Sequence, residues 1–173
     1  MSGPITLEPL TLDTLDEAVS VYARTWDRDE YAARLHFERH RLYPMWRGLL
    51  ARKDRRAIGF VYGNQSLPGQ WWHDVVSRHL RDREVLRDAW VLSELAVAPG
   101  HRDHGLGGWL HDEVLSGLPF RHAVLSTQLS NAGAQRFYHR RGWRTVVPEI
   151  RFSVFDEPFT ILARDLPLEG GSR

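Results

Sequence analysis

One stretch constrains this chain more than any other: residues 90–110, WVLSELAVAPGHRDHGLGGWL. An apolar, β-branched run ends at Pro99-Gly100. A short basic loop follows, then Gly105, Leu106, Gly107 and Gly108, and then an amphipathic segment. The order is strand, turn, glycine-rich loop, helix. Such a loop exposes backbone N–H groups at the positive end of a helix dipole, which makes an anion site, most often for phosphate.

The flanking sequence supplies the rest of an α/β pattern. Residues 4–10 alternate weakly and predict a first strand. Thr14 and Glu17 have capping-box spacing, and Leu15, Ala18, Val19, Tyr22 and Trp26 then fall at helical spacing over 14–26. Residues 28–42 predict a second helix with Tyr31, Leu35 and Leu42 on one stripe. Strands over 46–52 and 56–63 flank a KDRR turn and make a hairpin. Residues 64–88 break the rhythm and read as an irregular insertion between two strands, holding a short helix with Trp72, Val75, Val76 and Leu80 on one side. A strand at 89–97 leads into the loop and a helix over 105–116 whose Leu106, Leu110 and Val114 face inward. A strand at 122–128 follows. Asn131 caps a short helix that Gly142 ends, WRTVV begins another strand, and 149–156 with 159–166 predict a closing antiparallel pair. These elements describe one domain over 1–166, a mixed sheet of six to seven strands with helices on both faces, and a flexible tail at 167–173.

Composition narrows the chemistry. The 173 residues carry a net charge of +1, so no global field draws nucleic acid or membrane. Cysteine is absent, which removes disulfides, thiolate catalysis and cysteine-held metals. No apolar run reaches membrane-spanning length, and the N-terminus has neither the basic start nor the apolar centre of a signal peptide; a cytoplasmic protein is expected. Among the 23 basic residues only Lys53 is a lysine, a usage associated with GC-rich bacterial genomes.

Three kinds of glycine loop compete for the central stretch. A P-loop ends in GK[ST], and no lysine is present here. A dinucleotide fingerprint needs a third glycine or alanine where Leu110 stands, and it belongs near the start of a βαβ unit. The third pattern is Gln or Arg, two residues, Gly, one residue, Gly or Ala. Arg102, Gly105 and Gly107 match it, after a strand and opening a helix. A second segment goes with it: Asn131, Ala134, Phe137 and Tyr138, followed by Gly142 and Trp143. Together, over about 4–166, these motifs resemble the GNAT superfamily of acetyl-CoA-dependent N-acetyltransferases.

The resemblance implies a GNAT fold and acetyl-CoA as co-substrate; no metal is expected. Backbone N–H groups of Arg102, Asp103, His104, Gly105, Leu106, Gly107 and Gly108 would cradle the CoA pyrophosphate, since glycines let backbone approach it closely. Leu95, Ala96 and Val97 would pair with the pantetheine arm, with an N–H near Val97 as oxyanion donor. Asn131 would hydrogen-bond the pantetheine region, and Tyr138 would be the acid that protonates the departing thiolate. With no cysteine to carry an acetyl group, direct transfer in a ternary complex is the simplest route.

Glu94 is the candidate base. A carboxylate in an apolar strand wants a reason. One is deprotonating or binding the acceptor amine; the other is a salt bridge to one of the arginines. Trp26, Tyr31, Trp71 and Trp72 are candidates to bind the acceptor, or pack the insertion onto the sheet, and His73 and Asp74 supply polar contacts or an alternative base. His36 with His40, and His101 with His104, lack metal-site companions and read as solvated or structural. The acceptor expected is a small-molecule amine, for a monomer or homodimer. A protein N-terminus or lysine, and a non-catalytic acyl-CoA-binding module, are the alternatives. A donor larger than acetyl also stays open.

Overall fold

The computed structural model describes residues 3–168. Most of the predicted tail, 169–173, lies outside the described residues. In chain order the elements are β1 (Ile5–Pro9), α1 (Leu15–Trp26), α2 (Glu30–Arg41), β2 (Arg47–Lys53), β3 (Arg56–Ser66), α3 (Trp71–Ser77), β4 (Ala89–Val97), α4 (Leu106–Leu115), β5 (His122–Gln128), α5 (Ala132–Arg140), β6 (Arg144–Ile150) and β7 (Phe159–Asp165). The strands run β1-β2-β3-β4-β5-β7-β6 in a mixed, mostly antiparallel sheet, as the α/β pattern predicts. The chain divides into two compact units. One holds the residues up to Asn64 together with Leu92–Ser116; the other holds Gln65–Val91 and the residues from Gly117 on.

In the first unit, Asp54 and Arg55 both take positive φ (49° and 65°), the twist that a two-residue hairpin loop between β2 and β3 needs. Period-two alternation then sorts β3. Phe60 and Tyr62 pack with Leu15, Ala18 and Val19 of α1, Ala33 and Phe37 of α2, and Ala96 of β4. Gly59 points the other way: a Cβ there would lie 3.1 Å from the Ala96 carbonyl oxygen and 3.3 Å from Leu110 Cδ1 of α4. Helices therefore cover both faces of these strands, and β4 and α4 are drawn tight against β3.

Two expectations for this unit are corrected. The capping box forms one turn early, between Thr11 and Thr14. Glu17 instead joins Glu8 in gripping Arg52, whose guanidinium offers a fork of donors that one carboxylate does not exhaust. The stripe on α2 is also different. Tyr31, Leu35 and Leu42 are exposed, while Ala33, Phe37 and the half-buried His40 face inward. The inward stripe carries a histidine where apolar spacing alone looked for leucines.

In the second unit, Ala89–Val91 of β4 pair in parallel with His122–Val124 of β5, and β5 pairs antiparallel with β7 along its whole length. The segment before β4 is less irregular than expected: β3 extends to Ser66, and Val76, Leu80, Val85 and Leu86 join the core with Trp72 and Val75 against it. The predicted strand over 149–156 is corrected. β6 ends at Ile150, opposite Phe159, where β7 begins. Beyond that point no β7 backbone remains to pair with, and Val154 and Phe155 lie on a turn, 85% and 95% exposed. Alternation without a ladder partner does not make a strand.

Candidate functional site

The glycine loop is built by a sequence of fixed backbone states. At its start the Ala98 N–H donates to the Ile58 carbonyl at 2.8 Å, anchoring the end of β4 to β3. Pro99–His101 form one 3₁₀ turn, and the Arg102 Nε donates back to the Val97 carbonyl at 3.2 Å. Asp103 (φ 63°) and Gly105 (φ 80°) are left-handed, and α4 begins at Leu106. A Cβ at Gly105 would meet nothing within 4 Å, so it would project into open space in front of the helix. The Trp109 N–H is bonded to the Gly105 carbonyl at 3.0 Å. The N–H groups of Leu106, Gly107 and Gly108 precede it in the first turn, where a helix has no acceptor of its own to offer. That turn carries no acidic side chain. His104 and Arg102 are exposed beside it. Next to the loop opens a groove of about 590 Å³ whose basic lining is Arg24, Arg55, Arg56 and His101.

Glu94 lies on β4 with Ala96, on the face that α1 and α2 cover, while Leu95 and Val97 alternate to the other face. Its partner is a histidine: Glu94 Oε1 is 3.4 Å from His36 Nε2, and the Glu94 side chain is 22% exposed. The Arg39 Nη2 lies 3.3 Å from His36 Nδ1. One turn on, the His40 ring sits 4.0 Å from that of His36, and its Nδ1 is hydrogen-bonded to the Tyr62 hydroxyl at 2.9 Å.

The electrostatics of this cluster are lopsided. Burial, and then the Glu94 charge, push the Tyr22 phenol up to about 12. Burial and the same carboxylate hold Tyr62 well above the usual phenol range. Burial, then the charges of His36 and Arg39, push His40 down to about 3, so it is a neutral imidazole at pH 7. Two protonated phenols thus face one carboxylate. A half-buried carboxylate among groups that do not compete for its charge can accept a proton from a cationic amine. Sequence reasoning singled out Glu94 but missed His36, Arg39, His40, Tyr22 and Tyr62 as its companions. The available signal was the spacing of Ala33, Phe37 and His40, which puts a polar ring on an inward stripe.

In the second unit, Tyr138 is buried on α5 and packs edge-on to Trp143 (5.5 Å) and Phe137 (5.0 Å). Gly142 (φ 82°) turns the chain so that the Trp143 N–H returns to the Tyr138 carbonyl at 3.2 Å. Asn131 caps α5, its Oδ1 accepting from the Ala134 N–H at 3.0 Å. Of the aromatic candidates here, Trp72 donates Nε1–H to Ser126 Oγ at 3.1 Å, whereas Trp71 is exposed and leans on Phe152 at 5.4 Å. His73 is buried against Ser66 Oγ at 2.8 Å, and burial pushes its pKa down. Asp74 is engaged by the Gly69 N–H. Trp26 and Tyr31 belong to the first unit, at the end of α1 and the start of α2, and both are exposed.

A family model described as Acetyltransferase (GNAT) family matches residues 12–143, which include the glycine loop, Glu94 and the Asn131–Trp143 motif. The chain belongs to the GNAT family. Over 122 residues it is 30% identical to a GCN5-like protein acetyltransferase of Mycobacterium tuberculosis, a match that takes in 64% of this chain and 59% of that protein. The chain thus matches less than two thirds of this relative's length. Solved GNAT structures share the fold at low identity. The ribosomal-protein-S18-alanine N-acetyltransferase of Escherichia coli superposes with a TM-score of 0.70, at 17% identity, over 98% of this chain and 99% of that one. A GNAT family acetyltransferase of Elizabethkingia anophelis with acetyl-CoA bound gives 0.61, at 18% identity, over 94% and 98%. Among the described residues, no helix of this GNAT chain is long and apolar enough to cross a membrane.

Proposed function

We propose that the chain, acting as one domain over residues 1–166, transfers an acetyl group from acetyl-CoA directly to the primary amine of a small molecule. The observation that carries this reading is the setting of Glu94: a carboxylate on β4, 22% exposed, beside His36 and facing two protonated phenols. A recessed base of this kind suits an unhindered ammonium group.

The residues fit the donor. Acetyl-CoA is dianionic at its pyrophosphate, and the loop offers left-handed backbone at Asp103 and Gly105, open space where a Gly105 Cβ would stand, and the first turn of α4. Arg102 to Gly108 would bind that anion. Leu95 to Val97 would pair with the pantetheine amides as an added strand does, with an N–H near Val97 facing the acyl oxygen. Asn131 spends its Oδ1 on capping α5, so its Nδ2 amide is the donor left for pantetheine. Glu94 takes the ammonium proton, and the Tyr138 hydroxyl gives its proton to the departing thiolate. Acetyl-CoA supplies the activated acyl group; the chain supplies orientation and two proton positions. Trp26 and Tyr31, exposed on the first unit, and Trp71 and Trp72 with His73, on the second, are the candidates to hold the body of the acceptor.

A second reading, acetylation of a protein amine, is favoured by two similar proteins: a GCN5-like protein acetyltransferase and a ribosomal-protein alanine N-acetyltransferase. Thiol release from acetyl-CoA, measured over a panel of polyamines, amino-acid derivatives, N-terminal peptides and lysine peptides, separates the two. Release with the small amines supports the first reading, and release with peptides alone replaces it by the second. Tyr138→Phe, run beside the wild type, is expected to lower kcat on the order of 100-fold. Equal turnover removes Tyr138 from the reaction, and silence with every amine refutes the transferase reading.

A further inference from the structure

We propose that His36 is the positioning residue for Glu94, donating its Nε2–H to the carboxylate in a tautomer that Arg39 selects, so that Glu94 meets the acceptor amine in a fixed orientation. The inference rests on the reading of Glu94 as the base.

The tautomer follows from hydrogen-bond chemistry. A guanidinium has donors only, so the His36 Nδ1, 3.3 Å from Arg39 Nη2, must present its lone pair. With Nδ1 accepting, the ring N–H is on Nε2, the atom that faces Glu94 Oε1 at 3.4 Å. The carboxylate is held through one oxygen and has the other for the ammonium.

The surroundings keep this arrangement single. From α1 the Tyr22 phenol faces Glu94, from β3 the Tyr62 phenol, and from α2 His40 and Arg39 flank His36. Arg28 acts on Tyr22 from beyond the end of α1. His40 is bonded to Tyr62 and stays neutral, so the ring lying against His36 adds no cation that would draw Glu94 away. A ring on α2 thereby couples the helix to the reactive strand. His36 and Glu94 are 58 residues apart in the chain.

The test is the pH profile of kcat/KM for the best amine, with four variants of the full chain. His36→Gln keeps an amide donor near the Nε2 position and is expected to stay within about threefold of wild type. His36→Leu removes the donor: kcat falls about tenfold with little change in the KM for acetyl-CoA, and the acid limb moves up by about one pH unit, because a carboxylate that loses a donor binds its proton more tightly. Arg39→Leu leaves Glu94 and His36 in place but frees the tautomer, and is expected to reproduce part of the loss in kcat; its exposed position keeps folding out of the result. Glu94→Gln must abolish the acid limb. If it does and both His36 variants keep the wild-type limb and kcat, the positioning role is overturned. If Glu94→Gln itself leaves the limb unmoved, the base reading fails instead.

Discussion

His40 gives the sharpest prediction about stability. The folded chain holds this ring neutral down to a pKa of about 3, through burial first and then the neighbouring charges of His36 and Arg39. In the unfolded chain it titrates near its ordinary value of about 6.5. Above that value neither state binds the proton, and His40 contributes nothing to the pH dependence. Between about 6.5 and about 3 the unfolded state binds it and the folded state does not, so stability is lost as the pH falls. At about pH 4.5 the window has been crossed for about two units, which is about 3 kcal/mol at about 1.4 kcal/mol per unit. That is a large part of the stability of an ordinary domain. His40→Asn is the perturbation: its amide can keep the bond to the Tyr62 hydroxyl, but it does not titrate. At about pH 7 the variant loses ring packing against His36 and Tyr62, about 1–2 kcal/mol. From about pH 7 to about pH 4.5 it should lose about 3 kcal/mol less than wild type, so the two stability curves approach and cross. Urea unfolding followed by tryptophan fluorescence at both pH values reads this difference. Parallel losses in the two proteins would refute the reasoning.

Two further outcomes follow from the loop and the α5 cap. Gly105→Ala places a Cβ in open space at φ 80°, so the only folded-state cost is left-handed backbone, about 1 kcal/mol and a fall in Tm of about 2–4 °C. If Gly105 lies under the pyrophosphate, the same methyl raises the KM for acetyl-CoA on the order of tenfold and leaves the amine KM alone; an unchanged donor KM removes the loop from donor binding. Asn131→Ala deletes the acceptor for the Ala134 N–H and should cost about 1 kcal/mol in urea unfolding, while Asn131→Asp, which keeps the cap, should cost little.

Much of the fold was readable along the chain. Strands at 89–97 and 122–128, the inward face of Leu106, Leu110 and Val114, and the Asn131 cap follow from period, propensity and capping chemistry, which act over a few residues. The misses share a cause. Residues 151–156 alternate like a strand, but their status depended on where β7 begins, and its first residue is opposite Ile150. Glu17 fits a capping box, but Arg52, 35 residues away, claims it.

The candidate site divides in the same way. The sequence by itself determined the α/β pattern, the loop from Arg102 to Gly108, and the presence of a carboxylate at 94 on the face shared with Ala96, because each depends on residue type and local spacing. Only the tertiary structure decided what that carboxylate meets. Its partner is a histidine on a helix far away in sequence, flanked by an arginine one turn further along and backed by the half-buried Tyr22 and the buried Tyr62. Hydrogen bonds of that kind are set by how a helix lies on a sheet, and burial moves the protons afterwards. Spacing along the chain carries no record of either.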